Sequence, residues 1–331
     1  MKKIVIPLLI SSIVLISCED QVNPKTDLKD ITVLNCIIRG DTSVQTATLS
    51  HSYSVSGFDP YENKTDPCIK GADIKIYYNN SAYALKDTSI TRVDTGRYNT
   101  PFNFYYSNNL AFINSGPISI TAILPNRDIL HASSFFIDPG DLYIEYKYTS
   151  PSGVQFYLPM NSQGDATYKF TWGFLHNVEY SENIYFSTEM IIYYYVLNNG
   201  QKVKYSKRVP LYYASTLGNK PIFPEIQKDI NYVVYDTAAI RKSLDDISLN
   251  DPQKSNYIIE KAVLRILLLD ENLAAYYSAQ KTFLDEFSIR INQPDFTNIT
   301  GGVGVFGVYT VKSQDLYFYD NYIQSLGYST L

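Results

Sequence analysis

Three cysteines, three histidines and a single tryptophan are all that this 331-residue chain has of those residue types, and the scarcity narrows its chemistry. His51, His131 and His176 are scattered among expected strands, with no ligand partner at i+4 and no neighbouring Cys pair, so they form no metal or acid–base pattern. No G-x-S-x-G elbow, H-E-x-x-H pair or phosphate loop occurs. Runs of Lys and Arg are also missing. The formal net charge is −5, more negative still once Lys2 and Lys3 are removed, which argues against nucleic acid or anionic lipid as a partner. After Asp20 no apolar stretch is long enough to cross a bilayer as a helix; the strongest, Ala262–Leu269, is interrupted by Arg265. Alternating segments of about ten residues are too few for even a small transmembrane barrel.

What is present begins at the N-terminus. Lys2 and Lys3 precede an apolar run from Ile4 to Ile16, and Glu19 and Asp20 stop it short of the roughly 20 residues that a spanning helix needs. The order Leu15-Ile16-Ser17-Cys18, an apolar pair and a small residue before Cys, resembles the lipobox of bacterial lipoproteins. That resemblance implies a signal peptide over residues 1–17, acylation of Cys18, and a body that sits on a lipid bilayer without crossing it. Residues 18–29, polar and containing Pro24, read as a tether.

From residue 30 the chain has strand composition, with 31 Tyr and 16 Phe that suit half-buried sheet faces. The expected strands are Ile31–Arg39, Thr46–Tyr53, Ala72–Tyr78, Ser81–Leu85, Leu110–Ile113, Ile118–Leu124 and Ile129–Ile137. Asp138-Pro139-Gly140-Asp141 is the best boundary. A second set follows, with Asn198-Asn199-Gly200 as a hairpin turn, Tyr168, Phe170 and Trp172 on one core face, and Tyr257–Leu269 as a core strand. One helical stripe starts at Leu273, capped by Asp270, and a weaker helix covers Thr237–Leu244. The fold expected is therefore mostly β: a sandwich at 30–138 and a larger β-domain with one or two helices at 141–331. The strand Gly71-Ala72-Asp73-Ile74-Lys75-Ile76 and the later Gly96-Arg97-Tyr98 turn resemble the small transthyretin-like or carboxypeptidase-regulatory sandwich, so the first sandwich is expected to be transthyretin/Ig-like.

Gly302-Val303-Gly304-Val305-Phe306-Gly307 matches G-x-G-x-x-G in letters only. A dinucleotide site needs a helix after the glycines, whereas Val308-Tyr309-Thr310-Val311 continues as strand, so no cofactor is expected. Glycines inside a strand mark a bulge or a close backbone approach. The same region, Asn298-Ile299-Thr300-Gly301-Gly302-Val303-Gly304-Val305-Phe306, preceded by Asp285-Glu286-Phe287 and Pro294, resembles the C-terminal signature of domain-of-unknown-function family 4249, a group of Bacteroidetes-type envelope lipoproteins. The lipobox, the strand Val33–Ile38 and Ile69–Ile74 follow in that family's order. Membership implies an outer-membrane lipoprotein often associated with TonB-dependent transporters, and it carries no catalytic residues. Glu19 and Asp20 resemble the acidic export signal of surface-exposed lipoproteins.

Three groups of candidates remain. Cys36 and Cys68 are an even pair once Cys18 is acylated, either joined as a disulfide or left as two separate buried thiols. Asp59, Glu62, Asn63 and Asp66, and Asp245, Asp246, Asn250 and Asp251, supply oxygen ligands without calcium-loop spacing, and read as solvated loops. Tyr193, Tyr194, Tyr195, Tyr212 and Tyr213 place rings on both faces of their strands, forming an aromatic binding surface or a brace between domains. Together these point to binding rather than catalysis. Surface hydrolysis of glycans or peptides and a structural or adhesive envelope role are the alternatives.

Overall fold

Short runs of alternating apolar and polar side chains, punctuated by Asn, Asp, Gly and Pro, commit this chain to strands, and the computed structural model is mostly β. It describes residues 30–52, 59, 62–145, 154–156, 167–175, 184–249, 251–281 and 296–331. Cys18 and the tether, His176, Asn250 and Asp285–Pro294 lie outside the described residues.

Seven strands build the first part: β1 (Thr32–Arg39), β2 (Gln45–His51), β3 (Asp73–Tyr78), β4 (Ser81–Ile90), β5 (Phe102–Ser107), β6 (Gly116–Ile123) and β7 (Ile129–Phe136). β4 changes partner midway: Ser81–Leu85 pair with β3, and Lys86–Ile90 pair with β5. The sheet β4-β3-β6-β7 thereby folds over the sheet β1-β2-β5. Leu34, Ile38, Leu49, Ile74, Ile76 and Ile120 meet between them, each at most 2% exposed. Full burial of one such side chain stabilises by about 1.5–3 kcal/mol. Two expectations change here. Residues 102–107 form a strand that the sequence reading does not place, because β4 outruns β3 and needs a second partner. Leu110–Ile113, expected as a strand, runs without strand pairing, and fully buried Leu110 plugs the core from a loop.

The turn at 138–141 is a single 3₁₀ turn in which the Asp138 carboxylate accepts from the Gly140 amide at 2.7 Å. Beyond it come β8 (Leu142–Glu145), β9 (Val154–Phe156), β10 (Thr167–Phe174), β11 (Tyr185–Asn198), β12 (Gln201–Val209), β13 (Tyr212–Ala214), β14 (Lys220–Ile222), β15 (Gln227–Lys228) and β16 (Tyr232–Asp236). Then follow α1 (Thr237–Asp245), β17 (Tyr257–Leu269), α2 (Glu271–Lys281), β18 (Val303–Phe318), α3 (Asp320–Ser325) and β19 (Ser329–Thr330). The described residues thus hold three helices, one more than the upper expectation; six-residue α3 is too short to leave a periodic trace. Phe170 and Trp172 of the small sheet β16-β10-β8 enter the second core beside Tyr235. The β11–β12 hairpin turns through Asn199 and Gly200, both at positive φ (50° and 78°), as a two-residue Asn-Gly loop requires.

β18 joins the two parts. Its first half, Val303–Tyr309, pairs in parallel with β1, and its second half, Tyr309–Leu316, pairs antiparallel with β17. One continuous sheet consequently runs from β12 through β11, β17 and β18 into β1. Sixteen residues at about 3.3 Å each are longer than either core, so one strand serves both. Ile299, Phe306 and Val308, assigned by sequence to the second part, pack in the first core.

Candidate functional site

The glycine-rich stretch 298–307 is a structural closure. The Asn298 side chain donates to the Phe306 carbonyl at 2.7 Å and accepts from the Phe306 amide at 2.9 Å, clasping the segment into a loop. Thr300 bridges to His131 of β7, so the segment spans from the β7 edge to β1. A Cβ at Gly301 would meet the Ile129 carbonyl, at Gly302 the Thr32 carbonyl, and at Gly304 the Leu34 carbonyl, where φ is 122°. Glycine is therefore demanded by backbone proximity, and Phe306 seals the core with no exposed surface. No phosphate cradle is needed to account for this pattern.

The five tyrosines do not form one patch. Strand alternation puts Tyr193 and Tyr195 on one face of β11, while Tyr194 turns to the other, stacks on Tyr205 at 5.8 Å and packs partly against the second core. Burial raises the Tyr194 pKa. Tyr212 and Tyr213 lie past the opposite end of β12, Tyr213 beneath the Lys242 ammonium at 5.3 Å and Tyr212 44% exposed.

Around Tyr193 and Tyr195 the structure adds groups that the sequence reading missed. Lys204 of the last strand, β12, sits 5.0 Å and 5.5 Å from the two ring centroids and 2.7 Å from a Glu260 carboxylate oxygen. The hydrogen bond to Glu260 raises the Lys204 pKa, so the ammonium stays charged. Neighbouring charges are also matched: Lys261 with Asp315 at 2.7 Å, and Arg265 with Glu189 at 2.6 Å. Beside Glu260, at the ends of β17 and β18, a cleft of about 630 Å³ is lined by Tyr317, Tyr319 and Asp320. The alternation Lys202-Val203-Lys204-Tyr205 was the available signal for a polar, cation-bearing edge strand. Because β18 runs parallel to β1, this surface lies roughly 40 Å of strand beyond Thr32, where the chain enters the fold.

The remaining candidates are held in local structure. Cys36 and Cys68 are separate thiols, not a disulfide. Cys36 pairs with Ala47 on β2, whereas Cys68 bridges Ser50 on the strand's other side, about two strand spacings and three residues away, beyond the roughly 7 Å reach of a bridge. Burial pushes the Cys36 thiol up to about 12. Asp66 is paired with Arg92, and Asp245 and Asp246 meet Arg241 and Lys242, both at 3.2 Å. His51 lies 3.3 Å from Asp30, and His131 touches the Thr121 hydroxyl. Among the described residues no three of His, Cys, Asp and Glu stand together as a metal site, and no helix is long and apolar enough to cross a membrane.

Compared with known protein families and with curated proteins, the chain matches none.

Proposed function

We propose that this chain is an outer-membrane lipoprotein, anchored through acylated Cys18, that acts as a binding or accessory component of a nutrient-uptake or cell-surface complex with a TonB-dependent transporter as partner. The observation that carries the reading is the N-terminal order of basic residues, apolar run, small residue and Cys18. Several acyl chains, at about 0.8 kcal/mol per buried CH₂, give a stable attachment that one chain does not. The Tyr193, Tyr195 and Lys204 surface supports a contact role, since it stands at the end of β18 far from Thr32 and combines rings with a cation. Glu19 and Asp20 favour the cell surface over the periplasm. Fatty-acid labelling that disappears in Cys18→Ala, together with co-purification of a TonB-dependent receptor from detergent-solubilised membranes at native expression, is the expected result. Labelling that persists in Cys18→Ala, or repeated recovery without such a receptor, overturns it, and turnover of a glycan or peptide by the purified chain would favour a hydrolase.

A further inference from the structure

We propose that the cleft at the β3–β4 turn of the first sandwich binds a neutral carbohydrate. The cleft measures about 780 Å³ and lies between that turn, the loop before β6, and the outer face of β6 and β7. Among the described residues that line it there is no Asp, Glu, Lys or Arg, in a chain that is 18% charged. What lines it instead is a set of amide and hydroxyl groups, with the His131 imidazole beside them. Tyr77, Asn79, Asn80, Asn114, Ser119 and Ser133 line this space, and among the described residues their side chains make no hydrogen bond. Amides and hydroxyls that both donate and accept are the complement of a polyol, whose hydroxyls do the same. An anion would call for Arg or Lys here, and Lys75, two residues before Tyr77 on β3, is held by Asp73 at 2.7 Å.

The apolar half of the match comes from Tyr77. Its ring is 41% exposed on the outer face of β3, and the register places Ser119 and then Ser133 directly across from it. Two small side chains on adjacent strands leave a shelf about 10 Å wide beside the ring, so a flat ligand can lie against its face. A sugar ring offers such a face through its C–H bonds while its hydroxyls point outward to the amides.

The walls are fixed in advance. Tyr78, the residue after Tyr77, is buried, and its hydroxyl donates to the Asn114 carbonyl and accepts from the Asn114 amide. Phe112 stacks on Phe136 at 4.2 Å, and the Ser115 hydroxyl accepts from the Asp138 amide at 2.8 Å. Asn79 and Asn80 sit at positive φ (48° and 58°), a tight turn that sets both amides at the mouth of the cleft. Order of this kind lowers the entropy lost on binding.

The cleft's chemistry stands whether or not Cys18 is acylated and whether or not a transporter is the partner. The test uses the full chain in detergent, titrated with soluble neutral β-glucan, α-mannan and xylan, and with polygalacturonate and inorganic phosphate as charged probes. Saturable binding of at least one neutral glycan is expected, weakened at least tenfold by Tyr77→Ala and by Asn114→Ala, less by Tyr77→Phe, and unchanged by Val93→Ala, a fully exposed position outside the cleft. Unfolding temperatures of these variants should stay at the parent value, since Tyr77 and Asn114 are exposed. Binding to none of the neutral glycans, preference for a charged probe, or affinity that survives Tyr77→Ala overturns the proposal.

Discussion

The Ser134 hydroxyl on β7 donates to the Asp270 carboxylate at the start of α2, joining points 136 residues apart in sequence. The other Asp270 oxygen accepts from the Leu273 amide at 2.8 Å, so one carboxylate both caps α2 and fastens it to the first sandwich. Asp270 is only 8% exposed, and its burial pushes the pKa up to about 6 despite those hydrogen bonds. Between the unfolded value of about 3.9 and about 6 the folded chain holds a proton that the unfolded chain releases. The stabilisation from this group is full below that window and lost as pH rises through it. Asp270→Asn keeps the cap and a partner for Ser134 but cannot titrate. Urea unfolding at pH 4 and pH 7 should show the variant's pH dependence differing from the parent's by about 2 kcal/mol; identical profiles would remove Asp270 from the account.

Gly304→Ala should be among the most damaging single-methyl changes in the chain. The new Cβ meets the Leu34 carbonyl on β1, and φ of 122° is open almost only to glycine. A loss of about 3 kcal/mol or more is expected from thermal or urea unfolding. Gly116→Ala is the matched control, because nothing lies within 4 Å of its added Cβ. A Gly304→Ala protein as stable as Gly116→Ala would refute the close approach of β18 to β1.

The thiols give a third measurement. In a Cys18→Ala background, native protein should react slowly at Cys36, which is buried with its pKa pushed up to about 12, and faster at Cys68, which is partly exposed. Two thiols should titrate after unfolding without reductant. Recovery of none would restore the disulfide alternative.

How far the sequence was legible depended on how local each signal was. The alternation of Ile74 and Ile76, the Asn199-Gly200 turn and the Asp270 cap are decided within a few residues, and each stands where the pattern put it. β5 was missed because the reason for a strand there is the overhang of β4, a tertiary fact. The glycines of 301–304 announced a close approach, but only the parallel register with β1 reveals which backbone approaches. The tyrosines were visible as a composition, yet their separation into Tyr193 and Tyr195, Tyr194, and Tyr212 and Tyr213 follows from strand phase and hairpin length. Lys204 and Glu260 come from the strands on either side of β11, 56 positions apart in sequence, and the neutral cleft gathers side chains from three separate segments, so neither leaves a linear trace.

β18 also imposes an order of events. During synthesis the residues of β1 emerge about 270 positions ahead of the residues that will lie beside them, so the earliest-made layer waits for the last stretch of polypeptide before its margin is covered. A ribosome-length truncation that stops short of residue 303 leaves that margin bare and ready to pair with other chains. The half that is made first is finished last, because its sheet cannot close until Val303–Tyr309 lie beside β1.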